Sequence, residues 1–279
     1  MMSRILYQDN FHRIEHHFAR DGGSDRVACT FTPFNFYDIE SEGFGVNFML
    51  SRGYDVIAFK CINDSWFQQI TQETIDIVGN ITAQYARVVT YGSSMGGYAA
   101  IAFSKALHAS SIVAISPQFA IDERSDQRWA KQASGISWKY RITPERVAAC
   151  SMHLLYDDVM LLDALQVQKI AHVAENCVRD IRHLKFPFSG HPTGTFLAQT
   201  GLITTVVSAV LEGKMSESPK IGWQQIKKSS AYFLSLSQFA KSKGKPRLEI
   251  LALQNAIRLR PDHILAQNLL RDAKNRGAN

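Results

Sequence analysis

The sequence predicts an α/β fold in which helices cover a mostly parallel sheet. Short apolar runs alternate with helical patterns through the first two thirds of the chain, which is typical of such a sheet. A hydrophobic content of 46% and a charged content of 20% indicate a globular protein with a substantial core. The length of 279 residues allows one large domain with a small appendage.

The first hundred residues divide into strands, one helix and a glycine-rich turn. The predicted strands are 11–20, 26–34, 55–60 and 87–91. The turn signal at 21–24 predicts that the first two strands form a hairpin. Residues 65–86 carry the 3.6-residue periodicity of a helix. Another helix is expected from about Gly96, directly after the last of these strands.

The next hundred residues continue the alternation. Further strands are predicted at 111–116, 152–156 and 178–188. Further helices are predicted from the end of the second of these strands to about residue 176, and at 193–211. Residues 120–148 are charged, contain tryptophan and lack a clear period. A lid or cap insertion would sit there.

A polar stretch with Gly and Pro, residues 212–222, predicts a linker between a body, 1–212, and a C-terminal segment, 223–279. The segment is helical in pattern and resembles a degenerate tetratricopeptide repeat, whose period is about 34 residues. The matching positions are Phe233, Leu236, Ala240, Ala252, Ala256 and Pro261. Ser237 and Glu249 depart from the repeat. The segment either packs on the body, or binds a protein partner or another copy of the chain.

The net charge of +6 is unevenly distributed. Residues 214–279 hold 13 Lys and Arg against 4 Asp and Glu, whereas the first 213 residues have a net charge of −3. The basic segment indicates either an anionic partner or a solvated helical surface. Basic and aromatic residues are not interleaved as in nucleic-acid-binding motifs, so no nucleic-acid partner is expected.

Cysteine spacing and hydropathy also limit the function classes. The four cysteines are far apart and form no Cys-x-x-Cys pair, so neither a zinc site nor a disulfide framework is expected. The N-terminus lacks the apolar core of a signal peptide, and no apolar run approaches the roughly 18 residues of a membrane span. We therefore expect a cytoplasmic protein without a membrane span.

The pattern Gly-x-Ser-x-Gly occurs at 92–96, between a predicted strand and a predicted helix. A hydroxyl becomes a nucleophile only where it is accessible beside a base, and a sharp strand-to-helix turn provides such a place. Side chains at Gly92 or Gly96 would collide across this turn. Ser94 is therefore the candidate nucleophile, and Ser93 occupies the variable position.

This order of strand, Gly-Ser-Ser-Met-Gly-Gly, helix, acid and histidine resembles the α/β-hydrolase superfamily over roughly residues 11–212. The resemblance implies a sheet of the eight-strand type, with the nucleophile near its middle. It also implies a catalytic triad in the chain order Ser, Asp or Glu, His.

The resemblance places the histidine on a loop after the last strand, which selects His191. The acid should follow the penultimate strand, where it would orient the imidazole. Asp157 lies at the end of that strand and is the preferred acid. Asp158 and Asp163 remain alternatives, and any of the three would also suit the cap of the following helix.

An oxyanion hole needs two backbone N–H donors. Met95, directly after the nucleophile, is one candidate. The other is expected in the loop after the strand that ends near residue 31, and Phe34 is the candidate because Pro33 has no N–H. Nearby aromatic side chains belong either to an acyl pocket or to the core; they are Phe34, Phe36, Tyr37 and Phe44.

These features predict a serine hydrolase that cleaves a small-molecule or glycan acyl ester and requires no cofactor. One alternative is an acyltransferase with the same triad. Another is a catalytically idle scaffold that binds partners through the C-terminal helices. No metal site is predicted, because His12 and His16 lie in a strand pattern that does not bring the two imidazoles together as a helix would.

Overall fold

A computed structural model describes residues 2–20, 22–121 and 126–277. Residue 21 of the predicted hairpin turn and residues 122–125 of the predicted lid lie outside the described residues. The chain divides into two compact units. Unit 1 is Met1–Leu155 with Leu165–His183, and unit 2 is Tyr156–Ala164 with Leu184–Asn279.

Within the described ranges, eight strands form one sheet in the order β1-β2-β4-β3-β5-β6-β7-β8. The strands are β1 Ser3–Gln8, β2 His12–His17, β3 Arg26–Phe31, β4 Asp55–Cys61, β5 Arg87–Ser93, β6 Ser111–Ile115, β7 Ser151–Tyr156 and β8 Asp180–Lys185. β2 pairs antiparallel with β1 and with β4, whereas the successive pairs from β4 through β3, β5 and β6 to β7 are parallel. The predicted mostly parallel sheet is confirmed.

The predicted hairpin of residues 11–20 with 26–34 is wrong. β2 pairs with β1 and β4, and β3 lies between β4 and β5. The reason is burial: Val27, Ala28, Cys29 and Phe31 cover both faces of β3 and are fully buried. A strand that is apolar on both faces belongs in the interior of a parallel sheet.

The described helices are numbered in chain order. They are α1 Val46–Ser51, α2 Gln72–Thr82, α3 Met95–Ala102, α4 Ala130–Ala133, α5 Leu161–Ala174, α6 Thr193–Gln199, α7 Ile203–Leu211, α8 Trp223–Ile226, α9 Ser230–Ser242, α10 Pro246–Leu259 and α11 Ile264–Gly277. α3 packs against β3, β5 and β6, and α1 packs against β4. These contacts bury the central strands of unit 1.

The region predicted as a lid, 120–148, contains a short 3₁₀ turn at Gln127–Trp129 and helix α4, and is otherwise irregular in its described part. It is held to the rest of unit 1 by polar contacts. Tyr140 donates its hydroxyl hydrogen to the Ile70 carbonyl at 2.7 Å, and Gln68 Oε1 accepts the N–H of Tyr140 at 2.8 Å. The role of this region as a lid stays a prediction.

The C-terminal segment is helical, as its pattern predicts. α9 packs on α10, and α10 packs on α11. Their shared core consists of Phe233, Leu253, Ala256, Ala266 and Ala273. The resemblance to a tetratricopeptide repeat is not confirmed.

Unit 2 also runs through the predicted linker, 212–222, which has no regular structure. Among the described residues, no single helix has the length and apolar character needed to cross a membrane. α6 and α7 meet that criterion only as a pair, with a 115° bend between them.

Candidate active site

Ser94 lies in the turn between β5 and α3, near the middle of the sheet. Its backbone has φ 53° and ψ −114°, a conformation that is unfavourable for any residue with a side chain. Two hydrogen bonds hold it there: its N–H donates to Ile115 O at 2.9 Å, and its carbonyl accepts the N–H of Tyr98 at 3.0 Å. The turn therefore fixes the serine where the chain reverses from strand to helix.

The glycines around Ser94 are required by close backbone contacts. A Cβ at Gly92 would lie 2.1 Å from the Gly96 carbonyl oxygen, and a Cβ at Gly96 would lie 2.3 Å from the Phe31 carbonyl oxygen. Neither backbone atom can move without displacing β3 or α3. The sharp turn thus depends on both glycines, which is the physical reason for the motif.

Ser93 occupies a different position. It is the last residue of β5 and pairs in register with Ile115 of β6. Of the two serines, only Ser94 has the strained backbone conformation. Ser94 stays the candidate nucleophile, as predicted from the motif.

Both candidate oxyanion donors are in unit 1, at the carboxyl ends of neighbouring strands. Met95 is the first residue of α3, where backbone N–H groups have no partner within the helix. In the loop after β3, the N–H of Thr32 donates to Phe59 O at 3.1 Å, and the N–H of Asn35 donates to Asp64 Oδ1 at 2.9 Å. Phe34 keeps its place as the second candidate.

An aromatic cluster lies in unit 1, and sequence reasoning found only one of its members. The Phe34 ring contacts Trp129 at 4.8 Å and Trp66 at 5.7 Å between centroids. Trp138 contacts Trp66 at 6.5 Å and Tyr98 at 5.7 Å. The sequence contains one signal for the other members of the cluster, which is the position of three tryptophans. One follows a predicted strand, and two lie in the predicted lid.

The other predicted pocket aromatics have different surroundings. Phe44 packs on Tyr91 at a centroid distance of 4.9 Å. Tyr37 is 66% exposed, and Phe36 is half-buried. The aromatic cluster consists of the five side chains that contact one another, Phe34, Trp66, Tyr98, Trp129 and Trp138. Because Tyr98 belongs to α3, this cluster lies beside the helix that begins at the Ser94 turn.

In unit 2, the structure brings His191 and Asp163 together. His191 Nδ1 lies 2.8 Å from Asp163 Oδ2, and the Asp163 side chain is 2% exposed. The carboxylate oxygen at this distance accepts a hydrogen bond from the tautomer that carries its proton on Nδ1. The other ring nitrogen, Nε2, is then the basic one. This is the tautomer that a general base needs.

Asp157, the acid preferred from the sequence, has other partners. Its Oδ1 accepts the N–H of Val159 at 3.0 Å and that of Phe188 at 3.1 Å. Its Oδ2 accepts the N–H of Gly190 at 2.8 Å and the hydroxyl of Ser235 at 3.1 Å. Burial raises the pKa of the Asp157 carboxyl, and these hydrogen bonds act against that rise. The Asp157 carboxylate thus accepts hydrogen bonds from backbone N–H groups and one serine hydroxyl, whereas the Asp163 carboxylate contacts the imidazole.

Two of the remaining histidines, His16 and His153, are buried in the fold. His153 is buried within β7, and burial lowers the pKa of its imidazole. His16 Nε2 lies 2.9 Å from the Tyr85 hydroxyl, and burial lowers the pKa of His16 to about 4. Among the described residues there is no group of three or more His, Cys, Asp or Glu side chains that could hold a metal ion.

Comparison with solved structures identifies the fold. A sugar hydrolase from Lactococcus lactis is 12% identical, the match covers 76% of this chain and 98% of that one, and the TM-score is 0.52. The capsule O-acetyltransferase of Neisseria meningitidis serogroup A is 13% identical over 74% and 93% of the two chains, with a TM-score of 0.51. No protein-family model and no curated protein sequence matches the chain. The chain has an α/β-hydrolase fold.

Proposed function

We propose that this protein is a serine hydrolase that cleaves acyl esters, with Ser94 as nucleophile, His191 as general base and Asp163 as the acid that orients the imidazole. The observation that carries the proposal is the conformation of Ser94, which is held at positive φ in a strand-to-helix turn that excludes any side chain at Gly92 and Gly96. Residues with a strained backbone cluster at active sites, and the motif around Ser94 makes it the candidate among them. The preferred acid moves from Asp157 to Asp163 because Asp163 is the carboxylate that contacts the imidazole.

In the proposed reaction, Ser94 Oγ attacks the ester carbonyl carbon while His191 Nε2 takes the hydroxyl proton. As the tetrahedral intermediate collapses, the C–O bond to the leaving alcohol breaks, and the imidazolium returns its proton to that alcohol. Asp163 stabilises the imidazolium and keeps Nδ1 protonated.

The negative charge on the carbonyl oxygen is stabilised by N–H donors of Met95 and Phe34. Oxyanion donors are effective because they are already oriented, so no reorganisation is needed when the charge develops. A water molecule then attacks the acyl-enzyme while His191 Nε2 takes one of its protons. The bond between the acyl carbon and Ser94 Oγ breaks, the imidazolium returns the proton to Ser94, and the carboxylic acid leaves. Every step uses residues of this chain, and the proposal invokes no cofactor.

A burst experiment tests this function. Rapid mixing of the wild-type protein with p-nitrophenyl acetate should release p-nitrophenol in a fast phase that approaches one equivalent per chain, followed by slower turnover. The burst reports acyl-enzyme formation, and the slower phase reports hydrolysis. If the protein releases p-nitrophenol no faster than free imidazole in solution does, the result would argue against a nucleophilic serine.

Acyl transfer to an alcohol is a second candidate, since transfer requires that water be kept from the acyl-enzyme. The observation that favours it is the apolar aromatic cluster, which lies beside α3, the helix that begins at the Ser94 turn. The meningococcal protein with this fold is a capsule O-acetyltransferase, which transfers an acyl group to oxygen. Adding sugars and simple alcohols during the slow phase separates the two functions. A transferase forms the new ester at the expense of free acid, whereas a hydrolase forms the acid regardless of the alcohol.

A further inference from the structure

The loop that carries His191, Phe188–His191, follows a path that needs support. Phe188 has φ 61°, and Gly190 has φ 73°, so two residues within three lie in the left-handed region. For phenylalanine this conformation is unfavourable and persists only where surrounding contacts compensate for it. What holds this loop therefore also determines where the imidazole lies.

The Asp157 carboxylate is the main support. Its Oδ1 accepts the Phe188 N–H at 3.1 Å and its Oδ2 accepts the Gly190 N–H at 2.8 Å, so it binds the loop on both sides of residue 189. Oδ1 also accepts the N–H groups of Val159 and Met160, at 3.0 and 3.3 Å, just before the helix that carries Asp163. One fully buried carboxylate thus joins the segments that carry His191 and Asp163.

Helix α9 completes this support. Ser235 of α9 is buried, and its hydroxyl donates to Asp157 Oδ2 at 3.1 Å. The Phe188 ring packs edge-on against Tyr232 and Phe239, at centroid distances of 5.9 and 5.3 Å. These three positions of α9 share one helix face by their spacing. The face of α9 that meets the loop is therefore continuous over two turns.

The start of α9 is itself fixed to the helix that follows His191. Gln199, the last residue of α6, accepts the Ser229 hydroxyl at 2.7 Å and the Ala231 N–H at 3.1 Å through Oε1. Its Nε2 donates to the Ser230 hydroxyl at 2.9 Å. Both ends of the His191 segment, the loop before it and α6 after it, are thus bound to α9.

We propose that Asp157 and Ser235 are positioning residues for His191, and that the C-terminal helices are thereby part of the reaction machinery instead of an independent appendage. The inference rests on the proposed function, since it assigns what these residues position. Ser235 orients the carboxylate, and the carboxylate holds the loop so that the imidazole keeps its bond to Asp163. A small shift of a positioned reacting group lowers the rate much more than it lowers substrate binding.

The matched pair Ser235→Ala and Ser237→Ala tests this inference in the full-length chain. Both serines are buried in α9, but the Ser237 hydroxyl donates to Leu234 O of its own helix at 2.7 Å. Ser235→Ala should lower kcat for p-nitrophenyl acetate about 10-fold with KM within about twofold, because positioning is lost and binding is kept. Ser237→Ala should leave kcat within about twofold. Equal kcat values for the two variants would overturn the inference.

A second readout does not depend on activity. In ¹H–¹³C spectra of the histidine rings, the His191 signal is identified by its loss in His191→Gln. It should shift and broaden in Ser235→Ala and stay in place in Ser237→Ala. If the wild type shows no burst but this difference is present, the proposed function fails and the positioning stands. If the burst is present and the His191 signal is unchanged in Ser235→Ala, the positioning role fails.

Discussion

Replacing Ser94 by alanine is expected to lower kcat/KM for p-nitrophenyl acetate at least about 10⁴-fold, since removing the nucleophile of a serine enzyme leaves only the contributions of binding and the oxyanion hole. Folding should be unaffected or slightly improved, because alanine keeps the Cβ and the turn remains the same. Steady-state kinetics and a thermal unfolding curve measured on the same preparation check both statements.

Ser93→Ala is the control for this variant. Both serines are 4% exposed and adjacent in sequence, but Ser93 ends β5 and lacks the strained conformation. Its replacement should change kcat/KM less than about threefold, in line with the usual small effect of substitutions away from reacting groups. A large loss in Ser93→Ala together with an active Ser94→Ala would reverse the assignment of the nucleophile.

Asp163→Asn is expected to reduce kcat about 10⁴-fold at neutral pH while KM changes little. An amide at this position can donate to Nδ1, which favours the tautomer with the proton on Nε2, and that tautomer cannot act as a base. The neutral amide of asparagine also cannot stabilise the imidazolium. The measurement is a full pH profile of kcat for the variant and the wild type.

Asp158→Asn serves as the matched control, because Asp158 is the neighbouring acid that sequence reasoning left open. Its kcat should stay within about threefold of the wild-type value. If Asp158→Asn loses activity to the extent expected for Asp163→Asn, and Asp163→Asn does not, the acid is misassigned. Asp157→Asn is expected to be intermediate, because it weakens the hold on the loop without removing the partner of the imidazole.

The Ser94 turn could be predicted from the sequence because the residues that form it are close together in the chain. A strand, two glycines and a following helix lie within residues 87–102. A Cβ atom at either glycine would lie 2.1 or 2.3 Å from a backbone oxygen, so the two glycines of the motif themselves indicate a tight turn. The parallel sheet was likewise predictable from apolar runs. The order of the strands was not, since the burial of both faces of β3 overrode the turn signal that predicted a hairpin with β2.

The carboxylate that contacts His191 was harder to predict because the contact joins segments that are distant in the chain. Asp157 has the expected place at the end of β7, but its oxygens bind the N–H groups of Phe188 and Gly190. Asp163 lies in the first turn of α5, where an aspartate is also common as a helix-stabilising residue. Only the fold of the loop before His191 distinguishes the two carboxylates.

The contacts of α9 with Asp157 and Phe188 could not be predicted from the sequence for the same reason. Residues 223–279 were expected to follow a linker, and the helical pattern left both packing on the body and partner binding open. Ser235 stands 78 positions after Asp157, and no local signal links a helix serine to a strand-end carboxylate. Similarly, Trp66 and Trp129 come together with Phe34 only when the sheet aligns the ends of its strands.

The identity of the nucleophile is tested most directly by labelling the wild-type protein with a fluorophosphonate and locating the adduct by peptide mass spectrometry. The tryptic peptide 88–105 contains Ser93, Ser94 and Ser104, so fragment ions must distinguish these three. We expect one adduct per chain, on Ser94, and none in Ser94→Ala. An adduct on another residue, or an active wild-type protein that acquires no adduct, would contradict the proposed mechanism.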